Sequence, residues 1–321
     1  MLKKMSIRKI MVSTLTLFIL LIIYLMPDSA SDKEINLTND NIEYIYSNTL
    51  ETIYLLDSND MVAMTKIDSC NCEGIEKAKD LLDGLIIDGK KHDKIPNGFR
   101  PILPSGTTIK DVILENGILT IDFSSDLLEI NKDYEEKMVE SIIYTLTSIE
   151  GIDKVIIKVE GNILDKLPIS GKLLPTYLDK SYGINKVYDI ASTKDIDSYT
   201  LYYVNSYNEN SYYVPVTKYI NNDSQDKIKV IIEQLSSNPI HETNLMSFLN
   251  SNAKLLDYKL EEGKLTLNFN EDILSDITTN NILEEVIYTI SLTMNDNYDV
   301  EEVVFLVENE EIYKSFVKNV E

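Results

Sequence analysis

The sequence predicts an α+β protein made of two tandem copies of one two-layer domain, each a mixed sheet with two helices, behind a single N-terminal transmembrane helix. Three observations carry that expectation. A segment recurs at an offset of 146 residues, the same strand and helix order follows in both copies, and a 17-residue uncharged run lies near the N-terminus.

Residues 1–9 hold Lys3, Lys4, Arg8 and Lys9 and no acid, so this flank carries +4 of a chain whose net charge is −23. Residues 10–26 follow without a charge. As a helix they span about 26 Å at roughly 1.5 Å per residue. The hydrocarbon core is about 30 Å thick, and snorkelling of Arg8 and Lys9 extends the reach. The basic flank stays cytoplasmic, which places the body on the extracytoplasmic side of the membrane. The alternative is a secreted protein released by cleavage after Ser31, where Ser29-Ala30-Ser31 supplies small residues. No Cys follows the apolar run, so a lipid anchor at this position is not expected. Residues 27–50 are polar and mixed, as in a tether.

The repeat is read from Leu114-Glu-Asn-Gly-Ile-Leu-Thr-Ile-Asp-Phe123 against Leu260-Glu-Glu-Gly-Lys-Leu-Thr-Leu-Asn-Phe269. Upstream, Leu103, Ser105 and Asp111 pair with Leu249, Ser251 and Asp257; downstream, Glu140, Tyr144 and Thr145 are set against Glu284, Tyr288 and Thr289. Val155, Val159 and Glu160 then match Val303, Val307 and Glu308. Such a period is too long for a solenoid and indicates a duplicated domain, 51–161 and 199–315. Within each copy the elements follow in order. Strands 52–56 and 61–67 flank a turn-prone Asp57-Ser-Asn-Asp60, and 200–205 and 212–220 match them. A helix over 73–85, with Ala78, Leu81, Leu82 and Leu85 at helical spacing, corresponds to one over 227–235. A hairpin turns at Asn116-Gly117, and its copy at Glu262-Gly263. A second helix over 133–148 repeats Met138, Ile142 and Leu146 every four residues, and Leu283, Val286, Ile287 and Ile290 stand for it in the second copy. Strands 154–159 and 302–307 close the copies. The connector, 162–198, contains Pro168, Gly171, Pro175 and Gly183, yet Leu164, Leu167, Leu174 and Leu178 make it too apolar for a free linker. It is expected to pack across both domains.

The residues argue against several chemistries. The 53 Asp and Glu against 30 Lys and Arg leave no basic surface for nucleic acid. Two Cys and the distant pair His92 and His241 supply no multi-ligand metal centre. Cys70-Asn71-Cys72 offers two sulfurs without further ligands, has no counterpart in the second copy, and reads as a pair of loop thiols. The carboxylate pairs Asp122 with Asp126 and Asp272 with Asp276 are expected on a solvated acidic face. No catalytic, cofactor-binding or metal-binding residue is assigned, no cofactor is expected, and the chain is read as a non-enzyme. The Tyr144 and Tyr288 positions read as aromatics at a helix–sheet boundary. The Tyr-rich run from Tyr199 to Tyr219 suits either a binding surface or ordinary strand use.

Residues 103–128, LPSGTTIKDVILENGILTIDFSSDLL, and 139–161, VESIIYTLTSIEGIDKVIIKVEG, resemble the GerMN domain of GerM-like sporulation and germination proteins. Residues 249–274 and 283–308 carry the likeness in the second copy, as do Tyr54 and Tyr202 with Val214-Pro-Val-Thr-Lys218 in the hairpins. The resemblance covers about residues 51–315 in tandem. It implies a fold like that of ring-building domains and a membrane-tethered extracytoplasmic protein of spore-forming bacteria. It further implies a scaffold role through protein partners in an envelope or channel complex. It transfers no catalytic residue. Such proteins are typically lipoproteins, and this chain lacks the corresponding Cys. The alternative function is a peptidoglycan-binding or cell-wall-modifying protein with a carboxylate-lined cleft between the copies.

Overall fold

A computed structural model describes residues 50–222, 226–237, 243–276 and 278–317. The expected anchor at 10–26, residues 27–49 of the tether, the cleavage point near Ser31, and His241 lie outside the described residues. No helix among the described residues is long and apolar enough to cross a membrane.

The first copy runs β1 (Leu50–Asp57), β2 (Val62–Asp68), α1 (Gly74–Leu85), β3 (Phe99–Arg100), β4 (Ile109–Glu115), β5 (Ile118–Phe123), α2 (Glu135–Leu146), β6 (Lys154–Val159) and β7 (Asn162–Ile163). The connector contributes β8 (Val187–Asp189). The second copy runs β9 (Ile196–Tyr207), β10 (Asn210–Asn221), α3 (Lys227–Ser236), β11 (Leu255–Glu261), β12 (Lys264–Phe269), α4 (Glu284–Tyr298), β13 (Glu302–Val307) and β14 (Glu310–Phe316). In each copy the second hairpin and the closing strands build a four-stranded sheet, β4-β5-β6-β7 and β11-β12-β13-β14. The hairpin turns as its sequence requires: Asn116 and Gly117 both have positive φ, at 51° and 75°, and Glu262 and Gly263 repeat this.

The first hairpins do not join those sheets, which corrects the expectation of one mixed sheet per copy. β1 and β2 instead pair with β10 and β9 in one six-stranded sheet that both copies share, with β3 and β8 completing it. The reason lies in the burial of the strands. Ile53 to Leu56 and Tyr199 to Val204 are buried at every position, on both faces. A strand buried on both faces needs cover on each side, which a two-layer domain with one solvated face cannot give. The outer edges of this sheet are closed by helix side chains. The Tyr54 N–H donates to Thr145 Oγ1 (3.0 Å) and the Ser141 hydroxyl donates to the Tyr54 carbonyl, both from α2. On the far edge the Tyr202 N–H donates to Thr293 Oγ1 (3.0 Å), and Asn297 accepts from Thr200 N–H (3.2 Å) and donates to the Thr200 carbonyl (2.8 Å). Edge strands capped in this way offer few backbone groups to other chains.

These bonds also correct the repeat alignment. Tyr54 and Tyr202 differ by 148 residues, and so do their partners Thr145 and Thr293. The second helices are therefore related at 148, one helical turn from the pairing of Tyr144 with Tyr288. A four-residue slip keeps an apolar stripe almost in phase, so periodicity alone cannot detect it. Burial agrees: Met138, Ile142 and Leu146 match Val286, Ile290 and Met294, all buried.

The connector packs as expected. Leu167, Leu174, Leu178 and Ile184 enter the core of the first copy, and β8 pairs in parallel with β10 of the second.

Candidate functional site: the seam between the repeats

β2 and β10 meet as a single residue pair, Met64 with Tyr213. Beyond it the strands part, and Asn185 of the connector fills the gap. Its Nδ2 donates to the carbonyls of Val62 (2.7 Å) and Pro215 (2.8 Å), and its Oδ1 accepts from the Val62 N–H (3.0 Å). The same residue donates its backbone N–H to Glu140 Oε2 (3.0 Å), while Lys186 Nζ reaches Glu140 Oε1 and Glu136 Oε1, each at 2.8 Å. Burial pushes the Glu140 carboxyl up, and the Lys186 ammonium opposes that rise.

On one face of the shared sheet, equivalent residues of the two copies touch. The Tyr54 and Tyr202 hydroxyls lie 3.1 Å apart, and Tyr202 also donates to Asp296 Oδ2 (2.7 Å). The Asp296 side chain is 3 % exposed, and its Oδ1 takes Lys180 Nζ at 2.5 Å; the Lys180 side chain is 30 % exposed. Tyr144 sets its ring edge-on to Tyr54 at 5.4 Å and donates its hydroxyl to the Lys180 carbonyl (3.2 Å). Burial pushes Tyr54 up to about 12, and the charge on Asp296 adds to it. The same two causes raise Tyr144 and Tyr202 well above the ordinary tyrosine range. Burial works against the Lys180 ammonium, and attraction to Asp296 and Tyr54 more than offsets it, so Lys180 is raised. On the other face, Asp57 Oδ2 accepts from Tyr212 (2.9 Å) and from Asn205 Nδ2 (3.2 Å), its own repeat equivalent. Gly98, at φ +92°, lies against the ring of Tyr207, and Phe99 meets Tyr212 edge-on at 4.9 Å.

Among the described residues, Glu140, Lys180, Lys186 and Asp296 of this seam each face a partner, and paired buried groups fix one geometry. The seam is thus a lock between repeats.

The sequence candidates do not converge. Asp122, in β5, accepts from the Gly161 N–H (2.9 Å) in the turn after β6, and Asp126 accepts from the Ser124 hydroxyl (2.7 Å) two residues before it. Asp272 and Asp276 likewise accept within their own loops, from Asn270 and Thr278. His92 sits in a short 3-10 turn at His92–Lys94. No group of three His, Cys, Asp or Glu able to hold a metal ion occurs among the described residues. Cys70 and Cys72 are joined to each other across Asn71, which corrects the reading of two loop thiols. Asp80 draws that loop onto α1 by accepting from Ser69 Oγ and the Cys70 N–H, each at 2.8 Å. The Tyr-rich run is mainly strand core and seam: Tyr199, Tyr202, Tyr203 and Tyr212 are buried. Tyr144 sits between its helix and the shared sheet as expected, fully buried, with its ring against Tyr54 and its hydroxyl on the polar Lys180 carbonyl. The sequence reading missed Lys180, Asn185 and Asp296. The available signal was the equivalence of Tyr54 and Tyr202, which points to a contact about a pseudo-twofold axis.

A depression of about 340 Å³ lies apart from the seam, floored by Leu56, Ile102 and Ile130. Arg100 at its rim pairs with Asp60 and lies over the Tyr134 ring at 5.0 Å.

The family model Germane, described as sporulation and spore germination, matches residues 52–165 and again 200–313. The chain is 33% identical over 264 residues to the spore germination protein GerM of Bacillus subtilis (strain 168), covering 80% of this chain and 71% of that protein. Its fold is similar to the solved tandem GerMN domains of the sporulation protein GerM from Bacillus subtilis. That likeness has a TM-score of 0.75 at 31% identity, over 81% of this chain and 91% of the solved one. With two family matches, an extended relative and the same tandem fold, the chain belongs to the Germane (GerMN) family of sporulation and spore germination proteins.

Proposed function

We propose that this protein is a non-enzymatic scaffold of sporulation or germination that supports an envelope or channel complex through protein contacts. Residues 10–26 anchor it in the membrane, and the body stands on the extracytoplasmic side. The observation that carries this reading is the seam. Two domains, 51–161 and 199–315, are joined by a shared sheet and by a connector built into it. A rigid pair holds its surfaces at a fixed angle, as a scaffold needs and a hinged binding cleft does not. The internally satisfied seam carboxylates support the same reading over catalysis.

Pull-down and crosslinking from sporulating cells test it. Recovery of envelope or channel proteins is the expected result, and recovery of none counts against the scaffold. Turnover or tight binding of purified peptidoglycan by residues 27–321 would replace it with the cell-wall reading. Mass spectrometry of the mature N-terminus tests the anchor, since a chain beginning at Asp32 would show that residues 10–26 are removed.

A further inference from the structure

The seam makes no use of Cys70 and Cys72, the two cysteines of the chain. Their sulfurs are bonded across Asn71, and their Cα atoms lie 5.2 Å apart, inside the ordinary reach of a disulfide. The loop that carries them joins the end of β2 to the first turn of α1. Cys70 is exposed and Cys72 is half-buried.

This bond does little as a staple. A disulfide stabilises chiefly by restricting the unfolded chain, and the restriction grows with the length of chain it closes. Here a single residue separates the two cysteines. The folded loop is also held without the sulfurs. Asp80 Oδ2, on α1, accepts from Ser69 Oγ and from the Cys70 N–H, each at 2.8 Å, and meets Lys91 Nζ at 2.5 Å. Lys91 Nζ also donates to the Asp68 carbonyl (2.5 Å), at the end of β2. The backbone therefore keeps its path whether the sulfurs are bonded or reduced.

The two sulfurs differ in placement. Cys72 stands next to Glu73, the N-cap of α1, whose side chain makes no capping bond to the first turn. A helix start favours a thiolate over a thiol, through its N–H groups and its dipole. The carboxylates of Glu73 and Glu76 offset part of that effect. Cys72 is thus the better leaving group, and exposed Cys70 is the sulfur that an outside thiolate reaches.

We propose that Cys70 and Cys72 form a redox couple that exchanges two electrons with an external pair of thiols. An outside thiolate attacks Cys70 Sγ, the bond between the two cysteines breaks, and its electron pair leaves on Cys72. The second outside thiolate then attacks the outside sulfur of the mixed disulfide and releases Cys70. The outside pair ends as a disulfide, and the protein ends as a dithiol that has gained two electrons and two protons. In reverse, Cys70 attacks an outside disulfide and Cys72 resolves the mixed disulfide by attacking Cys70 Sγ.

Two measurements on the full chain test this, and every thiol counted reports this pair, since the chain has no other cysteine. Purified in detergent and exposed to about 1 mM dithiothreitol at pH 7, the folded oxidised chain should yield both thiols to alkylation with its far-UV circular dichroism unchanged. Its urea midpoint should match that of the oxidised form, and oxidised glutathione should close the pair again. Reduction only after unfolding, or a midpoint that falls on reduction, would mark a structural staple and overturn the proposal. In the native host, Cys72→Ser should trap a mixed disulfide on Cys70 at about five times the yield that Cys70→Ser traps on Cys72. The adduct mass distinguishes a small thiol from a protein, and either one supports the couple. No adduct, equal yields from the two variants, or only a dimer of the chain through its own Cys70 would overturn it.

Discussion

Removing the Lys180 ammonium is expected to cost more stability than neutralising its partner, and the structure gives the size of the difference. Lys180→Met leaves Asp296, 3 % exposed, with Tyr202 as its remaining seam donor. Stripping one member from a buried ion pair costs about 3–5 kcal/mol. Lys180 is 30 % exposed, so part of its attraction is already screened, and about 3 kcal/mol is the working value. Asp296→Asn differs in kind. The amide oxygen still accepts from Tyr202, and Lys180 can turn toward water, so the loss is about 1–2 kcal/mol. The double variant should cost about 1.5 kcal/mol less than the two singles added together, because it strands no charge. Urea unfolding of residues 27–321, followed by far-UV circular dichroism and tyrosine fluorescence, measures all four corners of the cycle. Equal costs for the two singles with an additive double would refute a buried ion pair as the lock.

Three further outcomes follow from the same geometry. Gly98→Ala should destabilise by on the order of 2 kcal/mol in the same urea assay, since φ is +92° and the new Cβ would stand 2.6 Å from the Tyr207 ring carbon. Acid should weaken the fold through Glu135, whose carboxyl burial would raise but which its hydrogen bonds from the 169–170 backbone hold below the usual range. A depressed folded pKa means that this stability is present above about pH 4.3 and is lost as pH falls through the folded value; urea midpoints from pH 6 to pH 3 should show a shallower fall in Glu135→Gln. Asn205→Asp should replace the amide that donates to buried Asp57 with a second carboxylate, and cost on the order of 2 kcal/mol in the same urea assay at pH 7.

Much of the architecture was legible in the residues. Asn116-Gly117 and Glu262-Gly263 marked both hairpins, and the alternation of Leu119, Ile121 and Phe123 gave the buried face that the structure shows. The short strands β3, β7 and β8 were not legible, since two or three residues carry no period, and β14 was missed because Glu310, Glu311 and Lys314 make an edge strand look like a polar tail. The slip in the second helix has a sharper cause. Residues spaced by four lie on one helix face, so the stripe survives a one-turn error that only the Thr145 and Thr293 bonds resolve. The lock was illegible for a different reason. Lys180 and Asn185 belong to the connector, outside the two aligned copies, and a lone Lys or Asn in a loop ordinarily faces water.

The seam also explains why the copies diverged where they touch. Two identical repeats about a pseudo-twofold axis bring like residues together, as Tyr54 and Tyr202 still show. Hydroxyls tolerate that meeting, because each can donate to one neighbour and accept from another. Carboxylates do not, since two buried anions at hydrogen-bond distance repel. At the Asp57 position the second copy carries Asn205, whose amide donates to the acid it faces. At the Asp296 position the first copy carries Ser148, which donates to the Thr145 carbonyl (2.7 Å) of its own helix. One copy therefore supplies the charge at each site and the other a neutral residue. The unbalanced anion at Asp296 is met by Lys180 of the connector. Asymmetry in this protein is thus a condition for joining its two halves, and the connector that resolves it is part of the fold itself.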